Sequence, residues 1–256
     1  MSTGGARSRA RGTVDIGRPP RGRVELGLRT RVIAPLTSGS RGGLLDEAAA
    51  VGDEPVDLVE WRADSMVRAL AGSSFAAAPD LVGELTATAG ALLGASALPL
   101  IATVRTSSEG GAAHLDDSEY CALVASLAGM ADAVDVEIGR EGAPDLVREA
   151  QRAGARVIAS HHDFGGTPGD EELAGVLAAM NHAGADVLKI ACAPRSGGDV
   201  ARVLTAGAWA REAYDRPVIA IAMGRLGGPT RFAGAALGGA ATFASVGGAS
   251  APGQYT

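Results

Sequence analysis

The chain has 256 residues, 46% of them hydrophobic and 20% charged, with a net charge of −6. That is enough apolar material for a large buried core and too much for a disordered chain. The acidic balance and an aromatic content of only 4% speak against a nucleic-acid surface built on positive charge and base stacking, and no apolar run approaches the roughly 18 residues of a membrane helix.

Residues 1–22, rich in glycine, arginine and proline, are expected to form a flexible tail, with 23–256 folding as a single domain and Val24–Leu28 as a short strand at its start. Strand-like apolar runs then recur at Arg31–Leu36, Leu58–Arg62, Leu98–Arg105, Ala133–Ile138, Arg156–His162, Ala185–Cys192, Pro217–Met223 and Ala241–Val246. Helix-like segments separate them. Thr167-Pro168-Gly169-Asp170 offers an N-cap, a proline at the first helical position and an acidic first turn, ahead of Leu173, Val176, Leu177 and Met180 at helical spacing. Two cysteines, Cys121 and Cys192, build no disulfide framework, and the N-terminus lacks a charged-then-apolar leader, so a cytoplasmic protein is expected.

Eight strands alternating with helices in one domain suggest an α/β protein, either a (β/α)8 TIM barrel or an open doubly wound sheet. Side-chain alternation chooses between them. Glu60 and Arg62, Thr103 and Arg105, Asp135 and Glu137, Ser160 and His162, and Lys189 each fall on one face of their strand, near its C-terminal end, with aliphatic residues opposite. An open parallel sheet covered by helices on both sides leaves these charges no common meeting place. A barrel gathers them at the top of its interior, so the barrel is expected.

Of the 23 basic residues only Lys189 is a lysine. Arginine cannot replace lysine where chemistry needs a deprotonated amine. A strand lysine can equally be a structural ion pair, but its uniqueness, its C-terminal position and its inward parity favour a nucleophile that attacks a carbonyl to form a Schiff base, with desolvation and nearby cations disfavouring the ammonium form. His162 shares that parity one strand away and suits a general acid/base. His161 has the opposite parity and is expected to face the helix layer, and two adjacent strand residues that diverge make a poor metal site, so no metal is expected. Glu109, on a glycine-rich loop, either orients the histidine or is a solvated loop carboxylate. Arg231 can hold a carboxylate by two hydrogen bonds, and Ser250 and Gln254 offer a hydroxyl and an amide beyond the last strand.

The ordered set Glu60-Trp61-Arg62-Ala63-Asp64, Arg105 through Glu109-Gly110-Gly111, Asp135-Val136-Glu137, Ser160–Phe164 with Thr167-Pro168, Ala185–Ala191, Met223-Gly224, and Arg231 through Ser250-Ala251-Pro252-Gly253-Gln254 resembles the type I 3-dehydroquinate dehydratases. The resemblance implies a shikimate-pathway hydro-lyase that works without a metal or organic cofactor, usually as a homodimer, on the small molecule 3-dehydroquinate. It implies that Lys189 forms an imine with the C3 ketone, that His162 removes a C2 proton and assists loss of the C1 hydroxyl, and that Glu109 supports the histidine. Glu60, Arg62 and Arg105 would hold ring hydroxyls; Arg231, Ser250 and Gln254 would hold the carboxylate and close the lid. The family continues past this last motif into a final helix, whereas here Tyr255-Thr256 follow, so the expected barrel has either lost that helix or the sequence stops short of it. The competing readings are another Schiff-base barrel lyase of the class I aldolase kind, which would need a phosphate cradle that the sequence does not offer, and a non-catalytic barrel scaffold.

Overall fold

The computed structural model describes residues 12–52, 54–71, 80–233 and 236–246. Ser250 and Gln254, two of the expected carboxylate ligands, lie outside the described residues, as does the chain end where a final helix was at issue.

A hairpin comes first, β1 (Val14–Ile16) pairing antiparallel with β2 (Val24–Leu26). The expectation of a tail through residue 22 therefore fails from Val14 onward. Glycine and arginine composition masked two short alternating runs, Val-Asp-Ile and Val-Glu-Leu, whose apolar residues Val14, Ile16 and Leu26 are fully buried. The link between the strands is tied to the barrel through Asp132. Its carboxylate accepts from the Arg18 backbone at 2.8 Å and from Arg21 Nε and Nη2, each at 2.9 Å.

The domain continues as β3 (Arg31–Leu36), α1 (Arg41–Val51), β4 (Leu58–Arg62), α2 (Ala63–Ala71), α3 (Leu81–Ala95), β5 (Leu100–Thr103), α4 (Asp117–Ala128), β6 (Ala133–Glu137), α5 (Ala143–Arg152), β7 (Arg156–Asp163), α6 (Asp170–His182), β8 (Val187–Cys192), α7 (Gly197–Tyr214), β9 (Val218–Ala222), α8 (Gly228–Ala233) and β10 (Ala241–Phe243). The sheet runs β10-β3-β4-β5-β6-β7-β8-β9, with every neighbouring pair parallel. A bridge from Val218 to Gly239, with Ala240 N donating to Val218 O at 2.8 Å, brings β9 to the start of β10 and closes the cylinder. Each of the eight runs expected from sequence forms one of these strands. Among the described residues no helix is long and apolar enough to cross a membrane.

Period-two alternation divides the apolar residues into two cores. Ile33, Leu58, Ile101, Ala133, Ile158, Val187 and Ile219 fill the lower barrel, and Val14, Ile16 and Leu26 of the hairpin pack with them as a floor. Residues of opposite parity, among them Trp61, Val134 and Leu188, pack outward against the helices. The α6 start differs in detail from the sequence expectation. Gly169 is the N-cap and Asp170 the first helical residue, while the Thr167 hydroxyl donates across to Ala193 O at 3.4 Å. Leu173, Leu177 and Met180 are buried as the spacing predicts.

Candidate active site

Above the aliphatic floor, the inward positions of consecutive strands turn polar. Register places Ser160 beside both Glu137 and Lys189, and Thr103 beside Asp135. The charged residues therefore converge at the C-terminal mouth of the barrel. A single cavity there is lined by Glu60, Arg62, Arg105, Glu109, His162, Lys189 and Arg231, with Phe164, Met223 and Phe243 as apolar wall. Every expected site residue within the described chain lies on it.

Lys189 is 5% exposed. Its Nζ donates to Asp135 Oδ2 at 3.0 Å, lies 3.6 Å from Glu60 Oε1, and sits 4.8 Å from the centre of the Phe243 ring. Its immediate charged partners are thus carboxylates, where the sequence reading expected cations. Inward parity alone does not tell which of the gathered charges will touch. Asp135 has a role that the sequence does not assign it; the signal for it is parity, which puts it on the inner face two strands from Lys189.

Arg105 is the hub. It is buried, and its guanidinium donates through Nη1 to Glu109 Oε2 (2.9 Å), Glu137 Oε1 (3.1 Å) and Ser160 Oγ (3.1 Å), and through Nη2 to Asp135 Oδ1 (2.8 Å). Ser160 Oγ donates to the same Asp135 oxygen at 2.5 Å. Burial by itself would raise the Asp135 carboxyl, but Arg105, Lys189 and His162, together with the Ser160 hydrogen bond, hold it well below the usual carboxylate range. Arg105 is itself held charged, because three surrounding carboxylates outweigh its desolvation.

Glu109 ends a single 3-10 turn, Ser107–Glu109, capped by Gly110 in the left-handed conformation (φ 78°). The Phe164 ring lies against that glycine where a Cβ would project, and the neighbouring Gly111 presses on the Arg105 carbonyl, so this Gly-Gly pair lets the loop fold tightly back over the strand. The result is a buried carboxylate rather than a solvated one. Glu109 Oε2 lies 2.9 Å from His162 Nδ1. Burial, reinforced by Glu137 and Asp135 and opposed by Arg105, pushes the Glu109 carboxyl up to about 8. Burial and the Arg105 and Lys189 cations drive the His162 imidazole well below its ordinary range, so the ring is neutral. His161 departs from the expectation that it faces the helix layer. It is half-buried, and its Nδ1 lies 3.8 Å from Glu109 Oε1.

The remaining expected ligands are placed as follows. Glu60 accepts from Thr103 Oγ1 at 2.9 Å. Arg62 grips Asp64 with two 2.9 Å hydrogen bonds, and Asp64 in turn accepts from Ala112 N, which ties down the Glu109 loop. Arg231, on α8, is buried and donates to Phe243 O at 3.3 Å.

Fold and site together define a (β/α)8-barrel enzyme with a buried lysine and a separate carboxylate–histidine pair at the catalytic end. The family model for type I 3-dehydroquinase matches residues 32–256, and the chain belongs to that family. A 3-dehydroquinate dehydratase of Klebsiella pneumoniae is 38% identical over 232 residues, covering 88% of each chain. Among solved structures, the 3-dehydroquinate dehydratase of Geobacillus kaustophilus superposes with a TM-score of 0.82 at 34% identity, over 91% of this chain and 89% of that one. The type I enzyme of Clostridium difficile, described with covalently modified comenic acid, gives 0.84 at 29% identity, over 96% and 94%.

Proposed function

We propose that this chain dehydrates 3-dehydroquinate to 3-dehydroshikimate, with Lys189 as nucleophile, His162 as the proton carrier and Glu109 as its support. The observation that carries the reading is one cavity holding Lys189 on Asp135 and, as a distinct unit, His162 on Glu109. Lys189, once it hands a proton to the acids around it, adds through its nitrogen lone pair to the C3 ketone; the carbonyl oxygen leaves as water with two of the three ammonium protons, and the third stays on the iminium nitrogen. His162 takes a proton from C2 through Nε2, since Nδ1 is engaged by Glu109, and the C2–H electron pair forms an enamine. The enamine expels the C1 hydroxyl, which leaves as water with the proton His162 returns. Hydrolysis of the remaining iminium releases product and Lys189. An iminium accepts the electrons that an unassisted ketone would hold as a costly enolate.

Arg231 supplies the fixed positive charge that an acidic protein needs for an anionic substrate, with Ser250 and Gln254 as its partners at the carboxylate. Glu60, Arg62 and Arg105 face the ring hydroxyls. The enzyme works as a homodimer in the cytoplasm. Mixing the protein with 3-dehydroquinate should generate the ultraviolet absorbance of a conjugated enone, and borohydride should fix substrate to the protein; Lys189→Ala should lose both. Unchanged absorbance with the native chain, or a borohydride adduct that survives Lys189→Ala, would overturn the assignment.

A further inference from the structure

The acids of the site stand on β6, and β6 loses its neighbour at the level where they matter. The ladder between β5 and β6 ends at Thr103 opposite Asp135, and β5 itself ends at Thr103, two residues short of Arg105. Glu137 N is left beyond the last ladder pair. The group that meets it comes from the helix layer. Tyr120, near the start of α4, is fully buried; its hydroxyl accepts from Glu137 N at 2.8 Å and donates to Asp135 O at 3.5 Å. One phenol thus takes both peptide groups that flank Val136. Burial, with Glu137 and Asp135 nearby, pushes the phenol well above its ordinary range, so the hydroxyl keeps its hydrogen. From outside, Arg140 lies 5.3 Å from the centre of the Tyr120 ring and reaches Glu137 Oε2 at 3.3 Å.

We propose that Tyr120 is a positioning residue: its hydroxyl fixes the β6 backbone between Asp135 and Glu137, so that Asp135 meets Lys189 and Glu137 meets Arg105 beyond the end of β5. The inference rests on the proposed role of Lys189, which Asp135 holds at 3.0 Å. A buried N–H without a partner must find one. Without the hydroxyl, Glu137 N can do so by a shift of β6 of some tenths of an ångström. Such a shift moves both carboxylates, and misplacements on that scale slow reactions more than they weaken binding.

The test is Tyr120→Phe, which deletes one oxygen and keeps the ring in its slot. Native protein is assayed first: if it neither dehydrates 3-dehydroquinate nor forms a borohydride-fixed adduct, the proposed function fails and Tyr120 is not at issue. With an active native protein, Tyr120→Phe should lower kcat and the rate of adduct formation together by about tenfold, with KM changed less than about threefold, at a temperature well below unfolding. Coupling should show in Asp135→Asn, where adding Tyr120→Phe costs much less than it does alone. A lowered melting temperature with kcat and adduct rate unchanged would make Tyr120 only a core residue and overturn the proposal. So would full additivity with Asp135→Asn. Should Tyr120→Phe fail to fold, Arg140→Gln, which loosens the phenol from outside, must show the same loss of kcat without KM; an unaltered kcat there overturns the proposal equally.

Discussion

Replacing Glu109 by glutamine should make the protein more stable in alkaline solution and nearly inactive at every pH. The carboxyl is held near 8 against an ordinary value of 4.5, so the folded chain binds its proton more tightly than the unfolded chain does. Below about pH 4.5 Glu109 is protonated in both states and contributes its full share of stability. Between 4.5 and 8 only the unfolded state releases the proton, and that share is lost progressively as pH rises through the folded value. The span corresponds to a differential on the order of 5 kcal/mol. Glutamine fills the same volume, carries no charge and has no such dependence, while Arg105 keeps Asp135 and Glu137 as counter-ions. Activity runs the other way. Only the carboxylate form supplies the negative charge that stabilises the imidazolium His162 becomes when Nε2 takes the proton, so kcat/KM of the native enzyme should rise as pH passes through about 8. Denaturant unfolding of native protein and Glu109→Gln from pH 5 to 9 measures the first effect, and kcat/KM over the same range the second. Parallel stability curves would refute the reasoning, as would a native kcat/KM that is flat across pH 8.

His162→Ala should abolish turnover, a loss of several orders of magnitude, while borohydride still fixes substrate on Lys189, because base and nucleophile are separate units; equal loss of adduct in His162→Ala and Lys189→Ala would contradict that. Arg231→Ala should raise KM by tenfold or more with a smaller effect on kcat, measured by steady-state kinetics, since a carboxylate grip acts on bound substrate and transition state alike. Asp132→Ala should cost about 3 kcal/mol in denaturant unfolding, because the buried carboxylate satisfies Leu100 N at 2.9 Å as well as Arg18 and Arg21. Its kinetic constants should stay close to native, since the floor of the barrel lies away from the chemistry.

How much of this was legible in the sequence depended on which physical signal carried it. The strands were legible because each is an apolar run bounded by helix starts. The site was legible because period two is fixed by backbone geometry, so Glu60, Arg105, Asp135, His162 and Lys189 had to share the inner wall once the sheet closed. The hairpin was not, since three residues give too short a run to stand out in arginine- and glycine-rich surroundings, and most of the core that Val14 and Ile16 join, Ile33, Ile101 and Ile158 among it, lies far along the chain. Partner choice within the cluster was hidden for a related reason. Parity says that Lys189 faces inward, but whether it meets Arg105 or Asp135 depends on ångström-scale heights set by register, and here Arg105 is already taken by three carboxylates. Tyr120 was the least accessible of all. At helical spacing among Leu123, Val124 and Leu127 it is one more buried apolar position of α4, and only the early end of β5 gives its hydroxyl something to do. The residues that bind or react lie on regular strands and obey a two-residue period, whereas those that hold them in place sit where the regular structure breaks, and a break has no period to read.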